Sequence, residues 1–110
     1  LGERPKLDPT SRRLTRSGEV VGFVGAYDHH AWNAIPFAQP PVGGLRWRAP
    51  RRPHAWTGLR EAIDAPAPCP QFASMFGGRK GVEGEVIGSE DCLYLNIAAP
   101  RFHPDEVPKG

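Results

Sequence analysis

The sequence predicts a chain built mostly of antiparallel β-strands and loops and incomplete as a domain, and three observations lead there. Residues 89–100 open with charge and a cysteine, then alternate so that Leu93, Leu95 and Ile97 share one face of a strand and Tyr94 and Asn96 the other, before stopping at Pro100. Residues 18–25 hold the β-branched and aromatic run Val20-Val21-Gly22-Phe23-Val24, and a second extended run over 31–37 follows across the polar connection Tyr27-Asp28-His29-His30. That pattern reads as an antiparallel hairpin. Finally, 13 prolines and 13 glycines in 110 residues, with 39% hydrophobic residues, describe a chain rich in turns and poor in core.

Residues 1–17 mix charges with Pro5 and Pro9 and show neither helical nor strand periodicity, so they are expected to form a flexible lead-in to a segment spanning 18–110. After the hairpin, Pro40-Pro41 cannot continue a hydrogen-bonded ladder and must turn the chain away. Gly43-Gly44 then permit dihedrals closed to other residues, so a rigid segment followed by a permissive one fixes where Leu45-Arg46-Trp47 points. Residues 50–58 read as a surface loop in which Trp56, by its size, should be buried against something. The weak alternation over 59–65 fits a strand or one helical turn equally. Pro66, Pro68 and Pro70 hold Cys69 in extended geometry, and the residues between the two cysteines show no sustained period and read as a loop. The final strand, 93–100, should be buried, with its start tied upstream by Cys92, and Cys69 is the one other cysteine. In an oxidising compartment the two would pair, and in the cytosol they would stay reduced.

Charge excludes little and names no partner. A formal net charge of +2 is too small to argue for nucleic acid, and the cluster Arg46, Arg48, Arg51 and Arg52 with Trp47 and Trp56 carries no binding motif, so it reads as a solvated arginine face. No stretch approaches the roughly 20 apolar residues of a membrane-spanning helix. His29, His30, His54 and His103 show no ligand spacing and read as surface histidines rather than a metal site. Glu90 and Asp91, as neighbours in an extended segment, point to opposite faces and cannot share a substrate atom. The glycines over 77–88 are not followed by the Lys-Ser/Thr of a phosphate loop. None of Ser11, Ser17, Ser74 and Ser89 has glycines two residues away on both sides, as the Gly-x-Ser-x-Gly nucleophile turn requires. No catalytic residue is assigned.

Two stretches carry a resemblance. Ser89-Glu90-Asp91-Cys92-Leu93-Tyr94-Leu95-Asn96-Ile97-Ala98-Ala99-Pro100 resembles the cysteine-containing signature of the type-B carboxylesterase family, the serine hydrolases that include the cholinesterases. Ile35-Pro36-Phe37-Ala38-Gln39-Pro40-Pro41-Val42-Gly43-Gly44-Leu45-Arg46-Trp47 resembles a second family stretch at the expected place ahead of it, with Ala34 standing where glycine is usual. The resemblance covers about residues 18–100. It implies the N-terminal portion of an α/β-hydrolase fold, here contributing antiparallel strands, a disulfide-closed loop and one strand of the central sheet.

The implied function is hydrolysis of a small-molecule carboxylic ester through a serine acyl-enzyme in a full-length protein, without metal or organic cofactor. This chain would supply framework to the remainder of the hydrolase domain, because the nucleophile, acid, histidine and oxyanion loop are absent from it and the family places the oxyanion loop just beyond Gly110. The resemblance favours export to a secreted or periplasmic location, and with it a Cys69–Cys92 disulfide. It also makes Arg46 and Glu90 a structural ion pair joining the two matching stretches, where the residues alone would suggest two solvated charges. Phe72, Met75 and Phe76, in a loop that borders the active-site entrance in family members, are candidates for an apolar rim. That loop holds no tryptophan, so a choline ester is not supported. Two other readings stand beside the enzyme: a non-catalytic esterase-like adhesion or binding protein, distinguished by the residue at the serine turn, and a self-contained disulfide-stapled mini-domain, distinguished by cooperative unfolding of the isolated chain.

Overall fold

A computed structural model describes residues 4–74 and 83–107. Strand β1 (Leu7–Leu14), β2 (Glu19–Val24) and β3 (His29–Pro36) run in succession, β4 (Leu59–Glu61) follows the proline-rich corner, β5 (Gln71–Phe72) and β6 (Val86–Ile87) lie between the cysteines, and β7 (Tyr94–Pro100) comes last. Five strands form one sheet in the order β1-β2-β3-β7, with β4 on β2, and β5 and β6 form a separate ribbon. By internal contacts the chain divides into two compact units. The first comprises the described parts of Leu1–Ile35, His54–Ala65 and Leu95–Gly110, and the second Pro36–Pro53 and the described parts of Pro66–Tyr94.

In the first unit β2 is the axis. One of its edges pairs with β1, antiparallel. The other is shared: Phe23 and Val24 pair antiparallel with Ala31 and His30 of β3, while Glu19, Val20 and Val21 pair in parallel with Leu59, Arg60 and Glu61 of β4. Asn33 sits where the two partners diverge, its N–H donating to Ala62 O at 2.9 Å and its side-chain amide to Ile63 O at 2.8 Å. Val20, Trp32 and Ala62 form the buried cluster, with Ile35, Trp56 and Ala99 packed on it. Trp56 is only part-buried. Its N–H donates to Ser17 O at 2.8 Å, its indole Nε1 donates to Glu19 O at 2.9 Å, and the Arg60 guanidinium lies over its ring at 5.4 Å.

Several expectations are corrected here. The lead-in contains β1, hidden from a periodicity reading because the ladder slips between Asp8, opposite Gly22, and Arg13, opposite Val20. Five steps along β1 match two along β2, and Pro9 lies in that bulge on an edge strand, where a missing N–H costs no ladder bond. The second hairpin strand starts at His29 rather than residue 31. Residues 59–65 resolve into the short strand β4, and the loop between the cysteines contains the β5–β6 ribbon. Strand β7 is not buried: Leu95 and Ile97 are 40% and 42% exposed. A strand inside an α/β sheet is covered by helices on both faces. Among the described residues the only helical pieces are 3-10 turns at Gly43–Leu45 and Pro104–Glu106.

Ala34 adopts a left-handed backbone conformation, φ 57°, and is held there by its N–H donating to Asn96 Oδ1 at 3.0 Å and by Arg60 donating to its carbonyl at 3.2 Å. An L-residue with a Cβ pays about 1–2 kcal/mol in this region, whereas glycine adopts it freely but loses more chain entropy, about 0.4–1 kcal/mol. Ala34→Gly is therefore expected to raise stability by about 0.5–1 kcal/mol, read as a higher urea midpoint with unchanged slope.

Candidate functional site

The second unit is organised by a corner and a crosslink. Pro40 and Pro41 turn the chain, and Gly43, at φ 58°, opens the 3-10 turn that ends as the Arg46 N–H donates to Gly43 O at 3.2 Å. Arg46 then donates through Nη2 to Oε1 of Glu90, both side chains being about half exposed. Two residues later Cys92 is bonded to Cys69, with Cα atoms 5.1 Å apart and 23 residues between them in sequence. Asp91 takes a different partner, accepting from the Tyr94 hydroxyl at 2.8 Å, so the two adjacent carboxylates diverge. Pro41, Arg46, Trp47, Pro70, Glu90 and Cys92 line a cavity of about 470 Å³. Trp47 is 96% exposed and left-handed at φ 62°.

In the ribbon, Gln71 pairs with Ile87 and Phe72 with Val86. Residues directly opposite on a ladder share a face, so Phe72 and Val86, 70% and 68% exposed, form one apolar patch. Of the three rim candidates only Phe72 is placed. Met75 and Phe76 lie outside the described residues.

The first unit holds a cluster that sequence reasoning missed. His30, expected at the surface, is 2% exposed, and its Nδ1 lies 3.0 Å from Oδ2 of Asp8, itself 6% exposed in the supposed lead-in. The Thr10 hydroxyl and N–H donate to the other carboxylate oxygen at 2.6 and 3.1 Å, and Nε of Arg101 stands 3.8 Å from Oδ2. Burial pushes the Asp8 carboxyl up, but the two Thr10 bonds together with His30 and Arg101 outweigh it and hold it below its ordinary value. Arg101 is tied in turn to Asp28 at 2.7 Å, which raises its own pKa. A cavity of about 440 Å³ opens beside this cluster, lined by Thr10, Asp28, His30, Arg101, Phe102 and His103 among others. The sequence offered no signal for the Asp8–His30 pairing, because the partners are neither at a motif spacing nor on adjacent strands.

Among the described residues, Ser11 of the first unit and Ser89 of the second are held in structural hydrogen bonds. Ser11 is fully buried, its hydroxyl donating to Asp8 O and accepting from the Gly22 N–H, and Ser89 Oγ accepts from the Asp91 N–H. Among the described residues no three of His, Cys, Asp and Glu gather as a metal site, and no helix is long and apolar enough to cross a membrane.

The profile of the carboxylesterase family matches residues 10–109. The chain belongs to that family. This carboxylesterase-family chain is 44% identical over 105 residues to the fumonisin B1 esterase of Sphingopyxis macrogoltabida, covering 94% of itself and 17% of that relative. It is 37% identical over 106 residues to the acylcarnitine hydrolase of Rattus norvegicus, covering 84% of itself and 18% of the relative. Among solved structures, a thermophilic PNB esterase superposes at a TM-score of 0.70 with 34% identity over 84% of this chain and 19% of that one. The Geobacillus stearothermophilus carboxylesterase at pH 6.8 gives 0.59 with 33% identity over 82% and 16%. These neighbours are esterases of the α/β-hydrolase type, and the carboxylesterase-family chain spans less than a fifth of their length. Its mostly antiparallel strands are what that fold has at its N-terminal side.

Two outcomes are expected. A carboxyl held below its ordinary value when folded favours folding at every pH above the unfolded value, and that contribution vanishes as the pH falls through the folded one. Urea midpoints should therefore fall below roughly pH 4, and Asp8→Asn should remove that part of the pH dependence while costing about 1–3 kcal/mol at neutral pH. The ion pair and the disulfide should separate by size. Arg46→Ala, breaking a half-exposed pair, should cost under about 1 kcal/mol, whereas replacing both cysteines by serine should cost the second unit, which holds both of them, roughly 3 kcal/mol, since a loop of this length is freed when that unit unfolds.

Proposed function

We propose that the chain is the framework portion of a carboxylic-ester hydrolase that works through a serine acyl-enzyme, with Cys69–Cys92 and Arg46–Glu90 as its structural fastenings. The observation that carries this reading is the family match over residues 10–109 together with a site inventory that is entirely structural. At the second unit's corner Arg46 and Glu90 are engaged with each other, and the neighbouring Asp91 carboxylate accepts from Tyr94. The substrate class is a small-molecule carboxylic ester, with no metal or organic cofactor required by acyl-enzyme chemistry. Phe72, on the exposed face of the ribbon, and with it Met75 and Phe76, is assigned to an apolar rim of the substrate entrance. The disulfide supports a secreted or periplasmic setting, where such bonds persist.

Assayed by itself with a chromogenic short-chain ester, the chain should show no turnover above a heat-treated control. Turnover abolished by a serine-directed organophosphate would overturn the framework reading. Carried in a longer chain with a Gly-x-Ser-x-Gly turn, it should support ester hydrolysis that a serine-to-alanine change at that turn abolishes.

A further inference from the structure

Of the two bonded residues Cys69 is the exposed one, whereas Cys92 is part-buried and lines the 470 Å³ cavity with Arg46 and Glu90. What the bond closes is weakly held otherwise. The ribbon consists of two residues on each side, and Phe72 and Val86 face water. Among the described residues, hydrogen bonds that also close it include the Ser89 N–H to Pro68 O at 2.8 Å, the Ala73 N–H to Glu85 O at 2.8 Å and the Gly84 N–H to Ala73 O at 3.3 Å. A two-stranded ribbon of this length is marginal in water, and the cover here is limited to the part-buried Ile87 and the buried Ala73 beside it. The first unit, by contrast, contains neither cysteine and has its own buried cluster and buried hydrogen bonds.

We propose that the Cys69–Cys92 bond is a thiol–disulfide exchange site, opened by a dithiol reductant attacking at Cys69, whose opening releases the β5–β6 ribbon and leaves the β1–β2–β3 sheet folded. The reductant's thiolate forms a bond to Sγ of Cys69 as the sulfur–sulfur bond breaks, and the electron pair leaves on Sγ of Cys92, which takes up a proton. The reductant's second thiol, as thiolate, then displaces Cys69, giving two protein thiols and the oxidised cyclic reductant. Exposed disulfides are the labile ones in such exchange, because attack needs an open line to one sulfur. Pro68 and Pro70 flank Cys69 in sequence, and both Cys69 and Pro70 are exposed. Reduction thus acts on one unit, and an ester hydrolase carrying this chain would have its disulfide loop loosened without losing its sheet.

The test uses the intact oxidised chain in three measurements. Dithiothreitol without denaturant should produce two alkylatable thiols at a rate within about tenfold of that in concentrated urea. A monothiol, quenched early by alkylation and mapped by mass spectrometry, should be found attached to Cys69. Hydrogen exchange after reduction should show protection of the ribbon amides lost and that of residues 20–24 in β2 retained, with proteolysis within residues 70–91 rising at least about tenfold. Reduction confined to urea, an adduct on Cys92, or β2 amides unprotected after reduction would each overturn the proposal. The double variant with both cysteines changed to serine provides the second route: its β2 protection should match that of the reduced chain, and a β2 that exchanges freely in it would also refute the confinement to one unit.

Discussion

The first unit depends on one buried hydroxyl. Ser11 donates to Asp8 O at 2.6 Å and accepts from the Gly22 N–H at 2.7 Å, while its carbonyl takes the Trp32 indole proton at 2.9 Å. Its hydroxyl thus holds the bulge of β1 against β2, and its backbone carbonyl, accepting from the indole N–H, orients Trp32 on β3. The apolar cluster of Val20, Trp32 and Ala62 is too small to dictate a register by burial alone. Satisfied buried polar groups do so instead, because each alternative pairing would leave one of them without a partner in a low-dielectric interior. Gly22 makes the arrangement possible, since a Cβ there would collide with the Ala31 carbonyl and the Trp32 ring.

The second unit solves the same problem with different bonds. It has almost no apolar interior, and its corner, ribbon and strand entry are held by a covalent bond, an ion pair and backbone hydrogen bonds such as the Gln39 N–H to Arg51 O at 2.9 Å. The strain accumulated at Trp47 is tolerated because the flanking 3-10 turn and the Arg46–Glu90 pair leave the backbone no other course.

How much of this was legible in the sequence follows from how local each feature is. The hairpin of β2 and β3 and the course of β7 were readable because periodicity and bounding prolines are short-range signals. Strand β1 was not, because its bulge breaks the alternation and its inward positions are Asp8 and Ser11, residues that composition assigns to water. Strands β4, β5 and β6 are two or three residues long and have no period to detect. Arg46 and Glu90 lie 44 residues apart, and only a family resemblance could bring them together in advance. The Asp8–His30 contact reaches across β2, and no resemblance flagged it.

Strand β7 ends the sheet order, with Leu95 and Ile97 turned toward water and its outer edge carrying no described strand. Such an edge recruits other strands indiscriminately, and nothing on it repels them: residues 94–99 carry no charge, and the proline comes only at the end. An uncharged edge with no described partner is where a further strand, from the same longer chain or from another molecule, adds most readily.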